Sequence, residues 1–188
     1  MKYNLDNQQQ IKEFLNYLKE IRRYSDHTIR NYKIDLFQFI RYLYKCNPDL
    51  LILEIDKDSV KEFLFSLHAK KLSDKSIARK VATLKSIFNY MSKNNIIDKN
   101  ILESIRIPKV SKKLPHLLSE EEVRKLLSVE LSDNRIIMEI CILELFYATG
   151  IRISELARIK IQNINFNDKT IKVLGKGNKE RIVPIGFK

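Results

Sequence analysis

The chain has 188 residues, 44% of them hydrophobic and 31% charged, and its basic side chains exceed the acidic ones by 12. That length suits one large domain or two small ones, with enough apolar residues for a core without staples. No apolar run reaches the roughly 18 residues of a membrane-spanning helix, no signal-peptide pattern is present, and Cys46 and Cys141 form no CxxC or Cys/His cluster, so a helical membrane protein, a zinc module and a disulfide scaffold are all disfavoured. Isolated cysteines fit a reducing, cytoplasmic compartment. The basic excess favours a polyanion, most simply nucleic acid; a solvated surface on a Lys-rich chain is the competing explanation.

In chain order, the first hundred residues read as helices. Ile11, Phe14, Leu15, Leu18 and Ile21 recur at helical spacing. Ser25 or Asp26 caps the next helix, whose stripe is Ile29, Tyr32, Leu36, Phe39, Ile40 and Leu43, ending near Asn47-Pro48. Asp56 or Asp58 opens a third helix with Val60, Phe63, Leu64 and Leu67 inward. Ser73 opens a fourth, with Ile77, Val81, Leu84, Phe88 and Met91 inward, and a short helical turn near Asp98 to Ser104 closes the bundle. Residues 108–116, with Pro108, Pro115 and few apolar side chains, read as a linker between a domain at 1–107 and another at 117–188.

Beyond the linker, Ser119 and Glu122 form a capping-box pattern for a short helix. A second helix runs from about Ser132 to Thr149, is apolar over Ile136 to Ala148, and stops at Gly150, which suits a left-handed terminus. Ser154 is the expected cap of another short helix carrying Glu155 and Leu156. The period then changes to two: Thr170 to Leu174 and Arg181 to Ile185 read as a hairpin around Gly175 to Glu180, with Ile164 to Phe166 as a further short strand.

Four features carry chemistry. The fourth helix presents Lys75, Arg79, Ala82, Ser86 and Lys93 outward, with Lys80 and Lys85 flanking: small at the centre and basic at the edges, as a groove-entering surface requires. The second helix presents Arg30, Asn31, Gln38, Arg41 and Lys45, with Thr28 in its first turn. Both faces also fit ordinary solvation. Arg152 lies between a helix end and a helix start, where its guanidinium and the backbone amides can meet one anion; pairing with Glu155 is the alternative. Lys176 sits between two glycines at the hairpin tip, either as a phosphate contact or proton donor or as a solubilising turn residue. The three histidines are scattered, and Tyr147, the last tyrosine, reads as packing.

Together these stretches resemble the tyrosine recombinase (phage integrase) family, of the Xer type. His27 to Tyr32 with Leu36 and Phe39, and Lys75 to Tyr90 with Asn100 and Ile107-Pro108-Lys109, are similar to its helical core-binding domain. Leu114-Pro115 with Leu118 to Val123 resembles the start of its catalytic domain. Ala148 to Leu156 resembles the motif around the first catalytic arginine, and Gly175 to Arg181 with Val183-Pro184 the hairpin that carries the catalytic lysine. The resemblance implies a mainly α chain: a four-helix, SAM-like core-binding domain, then the N-terminal half of a mixed α/β catalytic domain with a small antiparallel sheet. It implies site-specific cleavage and rejoining of double-stranded DNA by a tetramer of protomers, through a 3′-phosphotyrosyl link and with no metal or nucleotide cofactor.

By that resemblance, Arg152 and Lys176 are the catalytic residues and Glu155 supports them. Thr28, Arg30, Asn31, Lys75, Arg79, Lys80 and Lys85 are the expected DNA contacts. The family places a His-x-x-Arg motif, a further His or Trp, and the nucleophilic Tyr after the hairpin, whereas this sequence has no His after His116 and no Tyr after Tyr147. The expectation is therefore a truncated recombinase that binds DNA but cannot cleave it alone, with the apolar helix before Gly150 left partly uncovered and residues after 115 less protected than the first hundred. A non-catalytic module that occupies recombination sites is the second reading, and a basic helical RNA-binding protein the third.

Overall fold

The computed structural model describes residues 5–108, 116–130, 133–175, 177 and 179–186. The chain divides into two units, Met1–Lys113 and Leu114–Lys188. The division falls within the stretch read as a linker, most of which lies outside the described residues.

The first unit consists of four helices, α1 (Leu5–Glu20), α2 (Asp26–Cys46), α3 (Lys57–Ala69) and α4 (Asp74–Lys93). Three start on a side-chain cap: Ser25 accepts from the Thr28 N–H, Asp56 from that of Ser59 and Ser73 from that of Ser76. Each cap satisfies an amide that the first helical turn leaves without a carbonyl. The apolar stripes face one another around Phe14, Phe39, Phe63 and Phe88, all essentially inaccessible to water, with the Phe39 and Phe63 rings meeting edge-on at 5.0 Å. Asn7 on α1 ties down the segment after α2, donating to the Leu50 carbonyl and accepting from the Ile52 N–H. Two sequence expectations are corrected here. Ile21 lies beyond α1 and is 69% exposed. Asp98 and Lys99 are bends and Asn100 to Ile105 is a pair of turns, held by Glu103 N–H to Asn100 O and Ile105 N–H to Leu102 O, not a helix; Leu102 and Ile105 nevertheless seal the core.

The second unit contains α5 (Glu120–Leu127), α6 (Asn134–Thr149), α7 (Ile153–Leu156), a 3-10 turn at Ile161–Asn163, and strands β1 (Ile164–Asn165), β2 (Thr170–Leu174) and β3 (Glu180–Pro184). The capping box forms as expected: Ser119 accepts from the Glu122 N–H, and Glu122 from the Ser119 N–H. Asp133 caps α6, and Gly150 ends it at φ 60°, its N–H reaching the Phe146 carbonyl. The sheet is antiparallel with order β1-β2-β3. Ile171 pairs with Val183 and Val173 with Arg181, so these four share the face that holds the small core of Ile151, Ile171 and Val173. Lys172 and Ile182 pair on the opposite face, and Ile182 is 70% exposed.

No residue of α6 is fully buried, and Ile137, Met138 and Tyr147 are exposed, matching the uncovered face expected of that helix. Tyr147 does not pack inward as expected; it lines an open cleft with Val123, Arg124 and Leu127 of α5. Ser154 does not cap α7. It lies inside the helix, whose N-cap is Arg152; the Glu155 side chain reaches back over the first turn and accepts from the Arg152 N–H at 2.9 Å. Both cysteines are free and exposed. Among the described residues no helix is long and apolar enough to cross a membrane.

Candidate phosphate-binding and DNA-binding sites

Within the first unit, Arg30 and Lys75 are exposed on α2 and α4. Thr28 and Asn31 are half-buried; the Thr28 hydroxyl pairs with that of Ser25, and the Asn31 amide with the His27 ring. Lys85 is half-buried and donates to the Glu103 carbonyl at 3.2 Å. The placement of Lys80 is corrected. Its side chain is 5% exposed, and its Nζ donates to Asp35 Oδ1 at 2.7 Å and to Gln38 Oε1 at 2.5 Å. Gln38, also read as outward, accepts this bond. Arg79 stays partly exposed but pairs with Asp35 Oδ2, which the Thr83 hydroxyl also reaches. Lys80 turns inward because it follows Ile77 by three residues and precedes Leu84 by four, spacings that put it on the apolar face. Asp35, absent from the sequence-level candidates, is the shared acceptor that joins α2 to α4.

In the second unit the Arg152 corner is built around one buried carboxylate. Glu155 is 5% exposed. Its Oε1 accepts from Arg152 Nη1 at 3.0 Å and from Arg181 Nη1 at 2.9 Å. Its Oε2 accepts from the Arg152 backbone N–H at 2.9 Å and from Arg181 Nη2 at 2.8 Å. The Arg152 amide therefore points at Glu155, not outward to an anion as the sequence suggested. The Arg152 side chain itself is 71% exposed. Pairing with Glu155, one of the two readings the sequence offers, is observed, and the rest of the guanidinium faces solvent. Lys176 lies outside the described residues; the Gly175 N–H donates to the Lys179 carbonyl at 2.8 Å. Arg181 is the functional candidate that motif spacing missed. The signal available was strand alternation, which puts it on the same side as Val183 and hence toward the core.

The hydrogen bonds from Arg181, followed by that from the Arg152 amide, hold the Glu155 carboxyl at about 2, below its ordinary 4.5, against the opposing effect of burial. A depressed carboxylate stabilises the folded state above its unfolded pKa, and that contribution disappears as pH falls through the folded value. The second unit is therefore expected to lose stability between pH 4.5 and about 2 through this group. Urea unfolding of the wild type and of Glu155→Gln across that window checks this: the wild type should show the steeper pH dependence. Equal slopes would assign the effect to other carboxylates.

Two family models match, the phage integrase N-terminal SAM-like domain over residues 11–95 and the phage integrase family over residues 116–188. The chain belongs to the phage integrase family of tyrosine recombinases. It is 34% identical over 181 residues to a tyrosine recombinase of Pseudothermotoga lettingae, covering 95% of this chain and 62% of that one. It is 40% identical over 178 residues to the tyrosine recombinase XerC of Staphylococcus aureus, covering 92% of this chain and 58% of the relative. The chain thus spans about three fifths of the length of the curated relatives it matches. Among solved structures, a lambda integrase (75–356) dimer bound to a COC′ core site matches with a TM-score of 0.71 at 20% identity, over 94% of this chain and 61% of that one. A lambda integrase tetramer bound to a Holliday junction matches at 0.70 and 21% identity, over 98% of this chain and 53% of that one. At that identity the likeness establishes the recombinase fold: a SAM-like helical unit, and a mixed unit with its small antiparallel sheet. Thr28 through Lys85 fall in the first matched region, and Arg152, Glu155, Lys176 and Arg181 in the second.

Proposed function

We propose that this tyrosine recombinase chain binds double-stranded DNA and supplies the phosphate-activating half of a site that breaks and rejoins DNA site-specifically. The observation that carries the reading is the exposed Arg152 guanidinium, fixed at its base by the buried Glu155. In such a reaction a tyrosine hydroxyl attacks the scissile phosphorus, forms the 3′-phosphotyrosyl bond and releases the 5′-oxygen. Negative charge grows on the non-bridging oxygens, and a guanidinium held there lowers the barrier. Arg152 takes that role. Lys176 delivers the proton that the leaving 5′-oxygen needs. Thr28, Arg30, Asn31, Lys75, Arg79 and Lys85 contribute DNA contacts, and protomers of the recombinase assemble on paired sites. Lys80 is not among those contacts, since Asp35 and Gln38 occupy its ammonium.

These 188 residues alone are proposed to bind DNA without cleaving it, because no tyrosine among them follows Tyr147. Titration of duplex DNA across a salt series should give an affinity that falls linearly on logarithmic axes. Arg30→Ala and Lys75→Ala should each reduce that slope by about one. Lys80→Met should leave the slope unchanged. Denaturing gels of the same mixtures should contain no protein–DNA adduct. An adduct formed by this chain unaided would overturn the binding-only role, and salt-independent binding would overturn the DNA-contact assignment.

A further inference from the structure

We infer that Arg181 is a positioning residue for Arg152, acting through Glu155, and that Gly175 supplies the space that lets it act. This rests on the reading that Arg152 meets the phosphate. Glu155 has two oxygens, and both accept two bonds: Oε1 from Arg152 Nη1 and Arg181 Nη1, Oε2 from the Arg152 amide and Arg181 Nη2. Arg181 forms the two-pronged pair, so Arg152 contributes one guanidinium nitrogen and keeps the rest of its fork directed outward. A buried carboxylate without Arg181 would draw the whole Arg152 fork onto itself, because both oxygens seek donors in an environment with little water. Competition from Arg181 thus holds Arg152 outward. It also leaves the cluster of two guanidinium groups and one carboxylate with a net positive charge, as a phosphate site requires.

Gly175 completes the arrangement. It is not among the positive-φ residues, so its backbone does not explain the glycine. A Cβ there would lie 3.1 Å from Arg181 Nη1, 3.4 Å from the Lys179 carbonyl oxygen and 3.5 Å from Glu155 Oε1. An arginine tip normally swings clear of such a contact, but this one is pinned at 2.9 Å to the carboxylate. A methyl group at 175 therefore shifts Arg181 Nη1 by a few tenths of an ångström and weakens its bond to Glu155. The glycine preceding Lys176 belongs to the Arg152 support as much as to the hairpin turn.

The test uses the 188-residue chain and inorganic vanadate, an oxyanion of phosphate shape, with affinities measured by vanadium NMR. Arg152→Ala is expected to weaken vanadate binding by about tenfold, the worth of one charge-assisted contact. Arg181→Gln should weaken it by about threefold to tenfold, and no further when Arg152 is already alanine, the non-additivity expected of a shared network. Arg181→Lys keeps the charge without the fork and should restore affinity only in part; full restoration would reduce the role to charge alone and overturn positioning. Gly175→Ala, which keeps every charged group, should shift affinity in the same direction by less, and serves if Arg181→Gln folds poorly. Weakening by Arg152→Ala with none from Arg181→Gln or Gly175→Ala overturns the positioning role and leaves the phosphate site standing. No weakening by Arg152→Ala overturns the phosphate site itself, and the inference with it.

Discussion

Asp35→Ala is expected to destabilise the first unit by about 3–5 kcal/mol, the cost of removing one member of a buried ion pair. The Asp35 side chain is 1% exposed and that of Lys80 is 5% exposed, so neither charge is screened by water. Alanine at 35 leaves the Lys80 ammonium buried with the Gln38 amide oxygen as an acceptor, and removes the carboxylate that Arg79 and the Thr83 hydroxyl meet. Lys80→Met should cost less, because Asp35 keeps Arg79 and Thr83 and the methionine fills the volume of the lysine stem. Combining Asp35→Leu with Lys80→Met should recover most of the loss, since both buried charges then disappear together. Seven of the eight tyrosines precede residue 114, so urea unfolding followed by tyrosine fluorescence reports mainly on this unit. A loss below about 1 kcal/mol for Asp35→Ala, the worth of an exposed pair, would show that water reaches the cluster.

The same cluster marks where the amino-acid pattern stops being informative. Helix starts were legible because a cap is local: Ser25, Asp56, Ser73 and Ser119 each accept the amide that their spacing implies. The hairpin was legible because alternation and glycines are local too, and β2 spans Thr170–Leu174 as the period-two pattern indicates. Lys80 departs from the pattern because its basic type suggests solvent while its position falls on the apolar face, whereas Gln38 is half-buried. Asp35, 45 residues away in sequence, makes the burial of Lys80 tolerable, and periodicity carries no information about such a partner. Strand alternation turns Arg181 toward the core, but its partner Glu155, 26 residues earlier, is visible only in the structure. Ser154 is not the cap of α7 because it lies inside the helix, one residue past its start, and Glu155 bonds back to the amide of Arg152 at the N-cap. Motif order singles out Arg152, whose side chain is exposed, while its support is visible only in the structure.

The two units are expected to differ sharply in their resistance to opening. Twenty buried apolar residues form the first core, against Ile151, Ile171 and Val173 in the second, counting the described residues. Each fully buried large apolar side chain contributes about 1.5–3 kcal/mol, so a three-residue core has little reserve. Amides of β2 and β3 should therefore exchange with deuterium well before those of α2 and α4. Ile171→Ala, at 1% exposure and at the centre of the smaller core, should cost about 2–5 kcal/mol. That is enough to remove most protection from the second unit while α1 to α4 keep theirs. Phe88→Ala should do the reverse: about 3–5 kcal/mol lost from the first unit, with exchange in β2 and β3 unchanged. Hydrogen exchange followed by mass spectrometry separates the outcomes peptide by peptide. If Ile171→Ala lowers protection in α1 to α4 as much as in β2 and β3, the chain unfolds as one cooperative body, and the weakness of the small core is shared by the large one.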